Sequence, residues 1–172
     1  MTPKAAMLVL ACSVLAPAAD LKVVRFAEQP MAKCRTVLLV RQKLDPGGFN
    51  GPVPGDVLDH LSELTLRFRK ELADALRAAG FEPRSDPESG QPCDLRISIR
   101  VGGGKVLVRN LKAPAGWYYE AVNLRLELTY GLPAAGEIGV LRAKLRGKGD
   151  SNAELKDLAE RVAAFTASKA GV

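Results

Sequence analysis

Residues 95–101 read Leu-Arg-Ile-Ser-Ile-Arg-Val, so Leu95, Ile97, Ile99 and Val101 fall on one side of an extended chain and Arg96, Ser98 and Arg100 on the other. A two-residue repeat belongs to a strand, and here it marks one buried face and one wet face. The pattern recurs twice. Val122, Leu124, Leu126, Leu128 and Tyr130 alternate with Asn123, Arg125, Glu127 and Thr129. Between Ile138 and Arg146, Leu141, Ala143 and Leu145 alternate with Arg142, Lys144 and Arg146. A sheet made of such strands needs cover on one side only.

Two helices can supply that cover. From Asp56 to Ala79, Leu58, Leu61, Leu64, Phe68, Leu72, Ala75, Leu76 and Ala79 recur at three- and four-residue intervals and form one apolar stripe. Asp56 or Asp59 is placed to cap this helix, Gly80 to stop it, and Phe81 to fold back on its last turn. Ser151-Asn152-Ala153-Glu154 has the form of a capping box for a second helix, in which hydroxyl and carboxylate each satisfy a free amide. Leu155, Leu158, Ala159, Val162, Ala163 and Thr166 give it a stripe.

The β-rich run Thr36-Val37-Leu38-Leu39-Val40 reads as a buried strand before the first helix. A strand–helix–strand crossover makes it parallel to the strand at 94–101, and the remaining strands follow as an antiparallel meander. The expected fold is α+β: a two-layer sandwich in β-α-β-β-β-α order, with a mixed four-stranded sheet and both helices on one face. Gly102-Gly103-Gly104 is expected to break the second strand, with Val106–Leu111 a candidate to resume it. Trp117-Tyr118-Tyr119, flanked by Pro114 and Gly116, reads as an aromatic loop.

The chain opens with Lys4 and an apolar run from Ala5 to Ala16 that is interrupted by Cys12 and Ser13. This has the layout of an export signal. It is shorter than the roughly 20 apolar residues of a membrane-spanning helix. The small residues at Ala16, Ala18 and Ala19 suit a signal peptidase. Two boundaries remain open. The signal covers 1–19, or it covers 1–11 and Cys12 is lipidated, because Val9-Leu10-Ala11-Cys12 resembles a bacterial lipobox. Residues 20–34 are then an N-terminal extension or short strand, and 35–170 a single α+β domain. The expected location is the periplasm, soluble or held at the outer membrane by a lipid.

Cys34 and Cys93 each precede one of the two parallel strands, and an oxidising compartment favours a disulfide between them. Two free, buried thiols are the alternative. Catalytic motifs are absent from the sequence. Gly102-Gly103-Gly104-Lys105 is followed by Val106 and more strand, where a phosphate loop requires Ser or Thr and a helix. Neither paired acids at glycosidase spacing nor a Gly-x-Ser-x-Gly elbow occurs. The single histidine, His60, argues against most zinc sites and has no evident partner in Cys34. The expectation is a non-enzyme without cofactor or metal.

Ala78-Ala79-Gly80-Phe81-Glu82 ending the long helix, Cys93-Asp94-Leu95-Arg96-Ile97 opening a longer strand, and the turn Ala135-Gly136-Glu137 give the chain an order seen elsewhere. It resembles the small periplasmic α/β domains of bacterial envelope lipoproteins. These include uncharacterised-lipoprotein families, the curli-secretion lipoprotein and the amino-terminal domain of the Tol-system propeller protein. The resemblance covers roughly residues 35–170 and implies envelope assembly or partner binding. It assigns no site residue.

The net charge is +6. The alternation gathers much of it on the wet face of the sheet, where Arg96, Arg100, Arg125, Arg142, Lys144 and Arg146 meet one visible acid, Glu127. Such a face attracts an envelope protein or anionic lipid, while its plainer role is to keep sheets from pairing. Trp117, Tyr118 and Tyr119 either join an interface or cap the core. An exported protein has no evident use for nucleic acid, and membrane association is expected only with lipidation. The oligomeric state is left open. The expected function is an exported envelope protein that binds a partner protein or anionic lipid; a structural subunit of an envelope complex is the alternative, and an enzyme without a recognisable motif stands outside both.

Overall fold

The structure, a computed structural model, describes residues 19–27, 31, 33–85, 92–111 and 116–171. Residues 1–18, with the expected leader and Cys12, lie outside the described residues. The strands are β1 (Asp20–Phe26), β2 (Thr36–Arg41), β3 (Glu82–Arg84), β4 (Leu95–Leu111), β5 (Gly116–Leu132) and β6 (Gly136–Lys144). The helices are α1 (Gly55–Ala78) and α2 (Asn152–Ala170).

The class is α+β, but the sheet has six strands, in the order β1-β6-β5-β4-β2-β3, where the sequence predicts four. Both additions are edge strands with weak sequence signals. β1 pairs antiparallel with β6. Its outermost position leaves Lys22, Val23, Val24 and Arg25 exposed, so no clean alternation develops. β3 has three residues around Pro83 and lies parallel to β2. Proline donates no ladder hydrogen bond and is confined to such edges. β2 and β4 are parallel, and β4, β5 and β6 form the expected antiparallel meander.

The helices share one face of the sheet. Val57, Leu61, Leu64, Phe68, Leu72 and Leu76 of α1 enter one core with the inward residues of β4, β5 and β6. Leu58, expected on that stripe, is 43% exposed, and Val57 takes its place. Every residue expected on the stripe of α2 is buried. Tyr130 reaches into the helix layer, where its hydroxyl lies 2.9 Å from Thr166 Oγ1. Ala19, at the end of the expected leader, is 1% exposed, and its carbonyl accepts from Arg161.

The helix ends differ in part from expectation. Pro54 occupies the N-cap of α1 without a side-chain bond, and Asp56 accepts from its neighbour, the Val57 amide. At the far end Gly80 has φ 88°, and Phe81 N donates to Leu76 O, closing the expected glycine stop. Ser151 caps α2 by accepting from Glu154 N, whereas the Glu154 carboxylate accepts from Arg146 N and leaves the capping box half formed.

Candidate functional site

The sheet face turned away from the helices carries most of the cations read from the sequence. Register sets them in rows across the strands. Arg100 on β4 lies opposite Glu127 on β5, which lies opposite Arg142 on β6, which lies opposite Lys22 on β1. The next row runs Arg125, Lys144 and Asp20. Arg96, opposite Leu38 and Gly131, opens the face at its other end. Arg146 stands two residues past β6, in the turn to α2.

Glu127 organises the centre. Its carboxylate accepts from Nε and Nη2 of Arg100 through Oε1, and from Nη2 of Arg142 through Oε2 at 3.0 Å. Burial alone would push this carboxyl up, but hydrogen bonds from Arg100 and Arg142, with their charges, outweigh it and hold the group below its usual range. Arg96, Arg125, Lys144 and Lys22 make no ion pair among the described residues. Arg125 donates to Gly48 O at 3.1 Å, so its charge stays uncompensated. Arg25, brought by β1, pairs with Glu137.

β4 does not break at Gly102–Gly104. It runs through them as a bulge, with Gly103 at φ 149°. Residues 45–50 continue along its outer edge, where Asp45 N donates to Val101 O and Phe49 bridges to Gly104. A Cβ at Gly48 would run into Gly102 O, and one at Gly103 into Gly48 O. The glycines thus permit two backbones to touch.

Next to the cation rows the face sinks into an open groove of about 530 Å³. Leu38, Cys93, Arg96, Ser98, Thr129 and Leu132 are among its lining residues. It exists because Ser98, Thr129 and Gly131 are short where the rows beyond carry long arginines.

The aromatic residues lie in β5 and not in a loop. β4 and β5 are 17 residues each, and their far halves form a hairpin arm. Val108 faces Tyr119 and Asn110 faces Trp117 in register. Val108, Trp117 and Tyr119 are 56%, 70% and 46% exposed. The arm's exposed side carries the apolar Val108, Trp117 and Tyr119, so it lacks the apolar-in, polar-out alternation that marks a strand in sequence. Glu120, 10% exposed, ties its base down by pairing with Arg109 at 2.9 Å and Lys148 at 2.7 Å.

The expected cysteine pair stands as two free thiols in this structure. Cys34 is buried in the core, with Sγ 3.7 Å from Asp94 O, whereas Cys93 lines the groove on the open face. His60 contacts the Lys148 carbonyl at 3.1 Å, so histidine and buried thiol have separate partners.

No family model matches the chain. No curated protein matches it either. Among solved structures it is similar to the PelC dodecamer from Paraburkholderia phytofirmans, at 14% identity and a TM-score of 0.43, over 88% of this chain and 98% of that one. A point variant of the same dodecamer gives 15% identity and a TM-score of 0.39 over the same shares. Likenesses this distant say nothing about function.

Lys22 and Arg25 reach the face through β1, which the sequence offers only as a short strand outside the four-stranded sheet. Sequence reading missed the groove. The short residues Ser98 and Thr129 were visible, but their adjacency depends on the register of β4 against β5. Among the described residues no helix is long and apolar enough to cross a membrane.

Proposed function

We propose that this chain is an exported, non-enzymatic envelope protein that holds an anionic partner, protein or lipid, on the open face of its sheet. One observation carries the reading. Arg96, Arg125, Lys144 and Lys22 lie on one face of the sheet and make no ion pair among the described residues, Asp20 being the one acid in register with them, and Arg100 and Arg142 share a single carboxylate. Neighbouring cations on a low-dielectric surface focus a positive field and raise the local concentration of anions. The expected leader supports export, and the burial of Ala19 favours a cut after Ala18, which leaves that residue in the fold. The resemblance to envelope lipoprotein domains points the same way.

A structural subunit of an envelope complex is the second reading. The arm favours it, because Val108, Trp117 and Tyr119 form an apolar face with no cover among the described residues.

Charge reversal separates the two. Lys22→Glu with Arg125→Glu avoids the Glu127 cluster, so the fold is expected to survive. Wild type is expected to sediment with phosphatidylglycerol vesicles or to bind polyglutamate at low salt, and to release both as salt shortens the screening length. The folded double variant is expected to lose that binding. If it binds as wild type does, or if wild type binds neither probe, the basic-face reading fails.

A further inference from the structure

Resting on the basic-face reading, we infer that the partner is an acidic protein segment that inserts one apolar side chain into the groove beside Thr129. Groove and cations are one continuous surface. Thr129, Glu127 and Arg125 follow at two-residue steps along the open side of β5. The groove around Thr129 therefore lies about 7 Å from the Arg100–Glu127–Arg142–Lys22 row and about 14 Å from the Arg125–Lys144 row. An extended segment laid along β5 advances by the same step. An apolar residue over Thr129 then places its +2 and +4 residues over the two cation rows, and its −2 residue beside Arg96.

The shape of the groove favours a side chain over a lipid tail. Its volume of about 530 Å³ is open to solvent, with Ser98, Thr129 and Arg96 in its lining and one acid, Glu137, whose charge is met by Arg25. Acyl chains are retained by enclosed apolar sleeves, whereas a partner's anchor residue needs a short apolar basin with a polar rim. Leu38, Leu132 and Pro133 supply the apolar part. The acidic character of the segment follows from charge complementarity with Arg96, Arg125, Lys144 and Lys22, which make no ion pair among the described residues and outnumber the one acid, Asp20, in their rows.

The test is selection of a random twelve-residue peptide display library on the folded protein. Enriched peptides are expected to share an apolar residue with acids at +2 and +4. Their binding is expected to fall about tenfold or more on Thr129→Trp, which fills the groove. Ser98→Leu, filling it from β4, is expected to act alike and guards against a fold defect in the first variant. Absence of enrichment, enriched peptides without acids, or equal binding to both filled variants each overturns the inference. Phosphatidylglycerol vesicles that still bind Thr129→Trp, with no peptide enriched, overturn it too while the basic-face reading stands.

Discussion

Asp94 and Thr36 exchange hydrogen bonds across the parallel pair β2 and β4. The Asp94 carboxylate accepts from Thr36 N at 2.9 Å, and the Thr36 hydroxyl accepts from Asp94 N at 2.9 Å. Arg35 N donates to the same carboxylate at 2.8 Å. Parallel strands start without a shared hairpin to fix their register, and this clip does so. Asp94→Ala is expected to cost about 1 kcal/mol, a modest figure because the group is exposed to solvent. The backbone bonds from Thr36 and Arg35 hold the Asp94 carboxyl below its ordinary value. Its contribution is therefore fully present above about pH 4 and is lost as pH falls through the lowered folded value. Thermal denaturation of both proteins between pH 7 and pH 2 checks this: the gap in melting temperature should close on acidification, and a gap that persists at pH 2 sinks the argument.

Glu127 is the central carboxylate of the open face, and its removal leaves Arg100 and Arg142 facing each other without an anion. Glu127→Ala is expected to destabilise the fold by about 2 kcal/mol, below the range for fully buried pairs because both arginines reach water. Arg142→Ala should cost less, since Arg100 still holds the carboxylate through Nε and Nη2. Urea denaturation gives both numbers. Equal costs, or none for Glu127→Ala, would show that the cluster does not act as described.

The alternating strands, both helices and the glycine stop at Gly80 were legible because each is a local pattern of one or two turns of chain. β1 is legible only as an optional short strand outside the sheet and β3 not at all, because edge strands bury little and so lose the two-residue signature. The arm around Trp117 escaped for a related reason: its exposed side carries Val108, Trp117 and Tyr119, so apolar residues do not mark the sheltered side there. Five of the six cations expected on the open face lie on its strands, since side chains of a regular strand alternate and the bulges fall between these residues. Their pairing with Glu127, the groove at Ser98 and Thr129, and the approach of Gly48 to Gly102 depend on which strand lies beside which. That information is long-range, and no local pattern carries it.

Tyr130 carries the sole side-chain hydroxyl bond between sheet and α2 among the described residues, to Thr166. Burial pushes its phenol well above the usual value, and the Thr166 bond offsets only part of this. In the unfolded chain the same phenol ionises near pH 10. Its contribution to stability is thus present below pH 10 and lost as pH rises beyond it. Tyr130→Phe is expected to cost about 1 kcal/mol at neutral pH and to flatten the alkaline fall in stability. Absorbance at 295 nm near pH 11 should rise on adding urea as Tyr130 ionises, and Tyr130→Phe should remove that rise; a rise unchanged in the variant would place Tyr130 in contact with water.

Cys34 and Cys93 differ in surroundings, and a thiol titration reads the difference directly. Burial first, and the Asp94 charge second, push the Cys34 thiol up, so its reactive thiolate is scarce and shielded. Cys93 lines an open groove. In a chain carrying Cys12→Ser, a disulfide-exchange reagent at pH 8 is expected to modify one thiol quickly and the second only after unfolding. Cys93→Ser should remove the fast phase, and Cys34→Ser the slow one. A protein lighter than its reduced mass by two hydrogens, with no fast phase at all, would instead establish the disulfide read from the sequence.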